Sequence, residues 1–204
     1  MKDDVYFYDP AKGHGLPHDP FNAIVAPRPI GWISSRDPAG VLNLAPYSFF
    51  NAFNYRPPIL GFSCIGEKHT LRNVERTKEF VWNLATRPLV EAMSLSAASV
   101  PELVDEFELA HLTPVPSRVV GVPRVGESPV AMECRMSQIV RLTDVGGRAV
   151  DTWLVLGQVV GVHIATRLLK DGVFDTAAAE PVLRAGGTGT YFGISPDMRF
   201  EIAR

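Results

Sequence analysis

The alternation of apolar and polar positions predicts a chain built mostly from short β-strands. Apolar and β-branched residues occur in short runs that are separated by Gly, Pro, Asn and Asp, a pattern typical of strands joined by turns. In the first half of the chain the pattern predicts strands at 24–26, 30–35, 41–47, 59–64 and 80–85. Asp37-Pro-Ala-Gly40 has the composition of a β-turn, so the strands on either side of it should form a hairpin.

Helical periodicity is confined to segments that lie between predicted strands. In the segment 70–78, Leu71 and Val74 supply an apolar stripe, and the Thr70 hydroxyl is placed to cap the helix. Residues 88–98 and 101–108 also have a helical pattern, and the proline-rich residues 113–128 predict an irregular connector.

The second half of the chain returns to a strand pattern. It predicts β runs at 129–142, 149–157 and 158–165, with Gly146-Gly147 as the turn of a hairpin. Gly157 and Gly161 lie inside these runs and predict bulges or sharp bends, as in a closing barrel. Helices inserted into a strand-rich chain favour a closed β-barrel with helical excursions over alternating βαβ units.

Length and composition narrow the class of protein. The 204 residues suit one domain at 21–204, preceded by an irregular arm at 1–20 that is rich in Gly, Pro, His and Asp. A net charge of −2 gives no basic field for nucleic acid. No apolar run approaches the ~20 residues that span a bilayer. We therefore expect neither a nucleic-acid partner nor a membrane partner.

Cysteine usage and the first residues indicate the compartment. Cys64 and Cys134 lie in apolar strand-like runs, which favours buried free thiols over a disulfide bridge, and a zinc site would need more thiols. The acidic start Met1-Lys-Asp-Asp-Val5 does not resemble a signal peptide. We expect a cytoplasmic protein.

The first candidate for ligand chemistry is Lys68-His-Thr-Leu-Arg-Asn73, which follows a strand and opens a helix. A helix start presents free backbone N–H groups and a partial positive charge that attract phosphate, and Lys68 and Thr70 add a charge and a donor. The competing interpretation is an ordinary capped surface helix.

The second candidate is the segment from Asn43 to Asn51, where small and polar residues alternate with aromatic ones. Such a mixture suits a flat aromatic ligand with a polar edge, although the same residues could pack a barrel edge. Trp32 and Trp82 fit core packing better than ligand stacking.

A third candidate is His163, at the end of the apolar strand Val159-Val-Gly-Val-His163. A histidine there is a structural hydrogen-bonded residue or a catalytic one. The remaining histidines lack metal-ligand spacing, and the chain has no GxSxG, Walker or GxGxxG motif after a strand. A dinucleotide, if used, is not held by a Rossmann unit.

Taken together, these motifs resemble the flavin reductase-like proteins, which include flavoredoxin and the reductase partners of two-component monooxygenases. The matching residues, in chain order, are Pro27-Arg-Pro-Ile-Gly-Trp-Ile-Ser-Ser35, Asn43-Leu-Ala-Pro-Tyr-Ser-Phe-Phe-Asn51, Pro57-Pro58, Phe62-Ser63, Lys68 with Thr70, and Leu183-Arg-Ala-Gly-Gly187 with Tyr191. Two positions depart from the family pattern. His69 stands where the family usually has Asp, and Ser35 stands where it usually has Thr.

The resemblance implies a mainly β fold with inserted helices, namely a six-stranded Greek-key split β-barrel of the FMN-binding type. It also implies a homodimer with a flavin near the interface. FMN is favoured over FAD, although the two departures leave that choice open. The implied flavin contacts are Trp32, Ser34, Ser35, Asn43, Ala45, Pro46, Tyr47, Ser48, Phe49, Asn51, Ser63, Lys68, Thr70 and Asn73, with His163 as the catalytic residue. No metal is expected.

The expected activity is that of an NAD(P)H:flavin oxidoreductase, in which the cofactor does the redox chemistry and the protein orients it. NADH or NADPH would reduce bound FMN, and the electrons would pass to an acceptor such as a monooxygenase or another redox protein. The alternatives are an FMN-binding electron carrier without efficient NAD(P)H turnover, and a split-barrel protein that binds haem or pyridoxal phosphate.

Overall fold

A computed structural model describes residues 4–101 and 104–203, and its largest element is a seven-stranded antiparallel sheet. The strands in chain order are β1 (Arg28–Pro29), β2 (Gly31–Arg36), β3 (Leu42–Tyr47), β4 (Phe50–Tyr55), β5 (Pro58–Ile65), β6 (Glu79–Asn83), β7 (Pro114–Val115), β8 (Arg124–Val125), β9 (Val130–Thr143), β10 (Ala149–Ile164), β11 (Leu169–Lys170), β12 (Val173–Phe174), β13 (Val182–Arg184) and β14 (Tyr191–Gly193). Seven of these strands form the large sheet, in the order β3-β2-β6-β9-β10-β5-β4.

Helices are short and lie between the strands. The α-helices are α1 (Phe21–Ile24), α2 (His69–Thr77), α3 (Val90–Leu95) and α4 (Glu106–Leu109), and 3-10 turns occur at Pro10–Lys12, Arg87–Leu89, Thr166–Leu168 and Pro196–Met198. The predicted mainly β fold with inserted helices is therefore confirmed. Within the described part of the chain, no helix has the length and apolar character needed to cross a membrane.

The structure corrects several predicted elements. The strand predicted at 24–26 is wrong, because the chain forms α1 instead, with the Ala23 and Ile24 amides donating to the Pro20 carbonyl. β4 was not predicted, and it pairs with β5 at the edge of the large sheet. The helix predicted at 101–108 forms only as α4, and residues 102 and 103 lie outside the described part.

The two β runs predicted at 149–157 and 158–165 are one strand, β10. It pairs with both β9 and β5, and its register with β9 shifts at Leu156/Gly157 and at Val159/Gly161, which confirms the predicted irregularities. A Cβ atom at Gly157 would lie 2.4 Å from the Phe80 ring. The strand can lie this close to that ring because residue 157 has no side chain.

Two apolar clusters explain why β2 is buried along most of its length. On one face of the strand Ile33 packs with Phe62 and Phe80 in the larger cluster. On the other face Trp32 packs with Leu44, Met93 and Phe107 beneath α3 and α4. The helices therefore cover the outer face of the strands that carry most of the predicted site residues.

The strands β13 and β14, late in the chain, form a small sheet with the early strand β1, in the order β1-β13-β14. Arg28 pairs in register with Arg184, which also stacks over Tyr191 at 5.0 Å and donates to the Thr190 and Gly187 carbonyls, both at 2.8 Å. The Gly-Gly motif of the tail is thus a loop organised around one guanidinium group.

Candidate functional site

A cavity of about 280 Å³ brings together six of the predicted site residues. We call it the Lys68 cavity. It lies between β3, the start of α2, the segment 96–100 and α4. The six residues are Asn43, Ala45, Pro46, Tyr47, Lys68 and Thr70.

The start of α2 gives the Lys68 cavity the donors that an anion requires. Lys68 is the residue before the helix, and the amides of the first turn have no intrahelical acceptor. Thr70 does not cap the helix as predicted, because it is the second helical residue and the helix has no side-chain cap. Its hydroxyl therefore does not serve the helix start, and it lies beside the Tyr47 phenol on the cavity wall.

Two buried polar atoms beside this helix start have no hydrogen-bond partner. They are Thr70 Oγ1 and Asn43 Nδ2, on residues that are 1% and 5% exposed. Leaving such groups unpaired in a protein interior costs about 1–3 kcal/mol each. Both residues line the Lys68 cavity, so its chemistry fits a ligand that carries phosphate and hydroxyl oxygens.

Tyr47 forms an apolar wall of the cavity with a polar tip. Its ring packs 4.7 Å from the Phe62 ring, and its hydroxyl lies 3.9 Å from the Cys64 sulfur. Burial raises the pKa of Tyr47 well above its usual value, the neighbouring Cys64 raises it further, and the nearby Thr70 hydroxyl opposes that rise. The phenol therefore stays neutral and can donate a hydrogen bond.

Glu106 is a cavity residue that the sequence did not reveal. It lies on α4, it is 5% exposed, and its Oε2 accepts a hydrogen bond from the Leu44 amide at 3.1 Å. Burial raises the pKa of this carboxyl above its usual value, although the hydrogen bond from Leu44 opposes the rise. Nothing in the acidic segment Asp105-Glu-Phe-Glu108 distinguishes Glu106 from an ordinary helix-start carboxylate.

Ser35 and Asn73 lie next to the Lys68 cavity and bond to each other. Asn73 Nδ2 donates to Ser35 Oγ at 3.2 Å, which ties α2 to β2. Asn73 also lines a smaller cavity of about 90 Å³ that shares Asn43 with the Lys68 cavity. Both residues are buried.

Three more predicted residues face a separate surface groove of about 490 Å³, which we call the Phe49 groove. They are Phe49, Asn51 and Ser63. Arg28, which also lines the groove, lies over the Phe49 ring at 5.5 Å and donates from Nε to the Ser48 carbonyl at 3.1 Å. Ser48 itself does not line the groove.

Trp32 and Ser34 are fully enclosed, and their polar atoms have protein partners. Trp32 Nε1 donates to Ser96 Oγ at 3.0 Å. Ser34 Oγ donates to the Pro123 carbonyl at 2.7 Å and accepts from Asn83 Nδ2 at 3.3 Å. Both residues are 0% exposed.

His163 lies apart from both of these sites. It lines a surface depression of about 470 Å³, and its Nε2 lies 2.6 Å from Oε1 of Glu133. We call this the arginine depression, after the residues Arg118, Arg124 and Arg167 in its wall.

Cys64 and Cys134 are buried free thiols, as predicted. Among the described residues no cluster of His, Cys, Asp and Glu could hold a metal ion.

Comparison with known proteins identifies relatives over most of the chain. Residues 25–180 match the family model of the flavin reductase like domain. The chain is 38% identical over 169 residues to an uncharacterized protein of Halalkalibacterium halodurans, a match that covers 80% of each.

Solved structures share the fold. Nitrilotriacetate monooxygenase component B from Bacillus cereus superposes with a TM-score of 0.87 at 30% identity, over 97% of this chain and 98% of that one. A split-barrel structure from Shewanella frigidimarina gives a TM-score of 0.79 at 23% identity over 90% of each chain. The predicted split-barrel fold is therefore confirmed.

Proposed function

The chain belongs to the flavin reductase-like domain family, and on that premise we propose that it is an FMN-dependent oxidoreductase. NADH or NADPH would reduce the bound flavin, and the electrons would pass to an acceptor such as the monooxygenase component of a two-component system. The similarity to a monooxygenase component B supports this kind of acceptor.

One observation carries the proposal. Two buried polar atoms, Thr70 Oγ1 and Asn43 Nδ2, have no hydrogen-bond partner. Their residues line the same cavity as Lys68 and the start of α2. A helix start with a lysine suits a phosphate, and the unpaired hydroxyl and amide suit the oxygens of a phosphate or a ribityl chain. FMN contains both.

The predicted site residues fall into two groups, those that would contact the ligand and those whose polar atoms already bond to the protein. Lys68, Thr70 and the first amides of α2 would bind the phosphate, and Asn43 would donate to a ligand oxygen. Ala45 and Pro46 leave room for the ligand beside β3. Ser35 and Asn73 would hold α2 against β2, whereas Trp32 and Ser34 would support β2 from inside the protein without touching the flavin.

The Phe49 groove supports the proposal of a homodimer. Its wall includes Phe53, which is 54% exposed, together with the exposed residue Ile24. A second subunit against this apolar surface would let Ser48, Phe49, Asn51 and Ser63 contact a flavin shared between subunits. His163 lines a different depression, so a role in hydride transfer would require a partner subunit to bring it to the flavin.

Bound FMN would supply the hydride acceptor and the electron donor of the reaction. The protein would contribute donors at the phosphate, a cavity wall beside β3 and a neutral phenol at Tyr47.

The test begins with the absorption spectrum of the purified protein and the mass of any released cofactor. A flavin band and the mass of FMN are expected, whereas haem or pyridoxal phosphate would contradict the proposal. Stopped-flow mixing with NADH and NADPH should then bleach the flavin band. If neither donor bleaches it but a reduced protein donor does, the chain is an electron carrier.

A further inference from the structure

The arginine depression is a polar site that the proposed flavin chemistry does not use. Three arginines, Arg118, Arg124 and Arg167, share its wall with His163, and Glu127 is the one acidic residue in that wall. Both oxygens of Glu127 accept from the Thr113 amide at 3.1 Å, so its charge is partly directed away from the arginines. The depression is therefore locally basic in a chain of net charge −2.

The buried carboxylate of Glu133 connects His163 with the loop that carries Arg118. Glu133 is fully enclosed, and its Oε1 lies 2.6 Å from His163 Nε2 and 2.8 Å from the Arg118 amide nitrogen. Its Oε2 accepts from the Val119 and Val120 amides at 2.6 and 2.9 Å. The loop that carries Arg118 is thus held in a set position beside His163.

The other two arginines come from elements that are also tied down. Arg124 opens β8, where the Val125 amide donates to Asn83 Oδ1 at 2.8 Å. Arg167 lies in the 3-10 turn Thr166–Leu168 directly after β10, where the Ala165 amide donates to the Pro129 carbonyl at 2.8 Å. Three separate segments therefore deliver one guanidinium group each to one depression.

None of the three guanidinium groups has an ion pair or hydrogen-bond partner among the described residues. Arg124 Nε is moreover buried without an acceptor. A guanidinium group at such a position normally binds a carboxylate or a phosphate. The protein itself supplies neither, so the geometry leaves these donors for a ligand.

We propose that Arg118, Arg124 and Arg167 form a binding site for a phosphate group, separate from the Lys68 cavity. Several guanidinium groups in one depression match the charge and the oxygen count of a phosphate better than those of a monocarboxylate. The phosphate could be free or part of a nucleotide. The site does not depend on the identity of the cofactor in the Lys68 cavity.

The site can be tested by titrating isotope-labelled protein, saturated with FMN, with inorganic phosphate at constant ionic strength and following the amide NMR signals. Saturable shifts are expected for Gly126, Ser128 and Ala165, which line the depression. A parallel titration with adenosine 2′,5′-bisphosphate distinguishes the sources, because tighter binding than phosphate indicates a nucleotide and equal binding indicates that only phosphate is recognised.

Arg167→Ala and Arg118→Ala remove exposed side chains, and each should weaken phosphate binding about tenfold, the usual effect of losing a hydrogen bond to a charged group. The matched control is Arg148→Ala, at the far end of the β9–β10 hairpin, where Arg148 pairs with Asp144. It should leave the affinity unchanged. The proposal is overturned if no shift saturates, if shifts occur only at residues 68–71, or if Arg148→Ala weakens binding as much as the other variants.

Discussion

The Nε2 atom of His163 lies 2.6 Å from the Oε1 atom of Glu133, a carboxylate with no exposed surface. The same carboxylate accepts three backbone amides from the loop 118–120. A histidine that the sequence offered as a catalytic candidate is therefore the outward end of a network that connects β9, β10 and this loop.

The first prediction concerns stability against acid. Burial by itself raises the pKa of Glu133, but hydrogen bonds from the Arg118 amide, from His163 and from the Val120 and Val119 amides outweigh burial and lower that pKa from 4.5 to about 2. Because the folded-state pKa is depressed, the stabilisation is complete above the unfolded value near 4.5 and is lost as the pH falls towards 2.

Glu133→Gln tests this network. The variant should lose about 3 kcal/mol of unfolding free energy at neutral pH, and its deficit relative to wild type should shrink as the pH falls through this window. Denaturant unfolding at a series of pH values measures the difference. A deficit that is the same at every pH would show that the charge of Glu133 is unimportant.

The second prediction concerns the helix start in the Lys68 cavity. Lys68→Ala and Thr70→Ala should each weaken FMN binding about tenfold, because each removes a donor to a charged phosphate. Thr70→Ser keeps the hydroxyl and should retain most of the affinity, and Lys78→Ala, just after the other end of α2, should retain all of it. Fluorescence titration gives the dissociation constants, and unchanged affinity in the Lys68/Thr70 double variant would refute the phosphate assignment.

The third prediction concerns Glu106. Burial raises the pKa of Glu106 and therefore shifts the ionisation of its carboxyl to higher pH. The ionised form would repel a flavin phosphate. Glu106→Gln keeps an acceptor for the Leu44 amide and should bind FMN severalfold more tightly at alkaline pH, with the difference disappearing at acidic pH. Glu108→Gln, on the same helix but exposed, is the matched control. An equal gain in both variants would argue against a local effect.

The fourth prediction tests whether Ser34 stabilises the fold or contacts the flavin. Ser34→Ala removes the hydrogen bond to the Pro123 carbonyl and should cost about 1–3 kcal/mol of stability, because a buried acceptor is left unpaired. FMN affinity, measured well below the unfolding temperature, should stay within about twofold of wild type, a change of less than 1 kcal/mol. A large loss of affinity with normal stability would instead place Ser34 against the cofactor.

The fifth prediction concerns the close contact between Gly157 on β10 and the Phe80 ring. Gly157→Ala places a Cβ atom 2.4 Å from the Phe80 ring and should destabilise the protein by about 1–3 kcal/mol. Gly189→Ala meets no atom within 4 Å and is the control. Thermal unfolding of the two variants measures the contrast, and similar melting temperatures would show that the ring can move aside.

Elements whose conformation depends on residues adjacent in the chain were predicted correctly from the sequence. The turn Asp37–Gly40 forms as expected, with the Gly40 amide donating to the Asp37 carbonyl at 3.1 Å, because Asp, Pro and Gly each favour one position of a turn. The strand predicted at 24–26 was wrong, because the β-branched residues Ile24 and Val25 lie at the end of α1, where the Val25 amide donates to the Phe21 carbonyl.

The amino-acid sequence alone determined the mainly β class, the mixed polar and aromatic segment Asn43–Asn51 and the helix start at Lys68, because these depend on residues that are neighbours in the chain. Only the tertiary structure decided that Glu106 enters the cavity, that Ser34 is enclosed, and that Arg118, Arg124 and Arg167 surround one depression. These outcomes depend on strand register and on helices packing over β2 and β3, which bring together residues far apart in sequence.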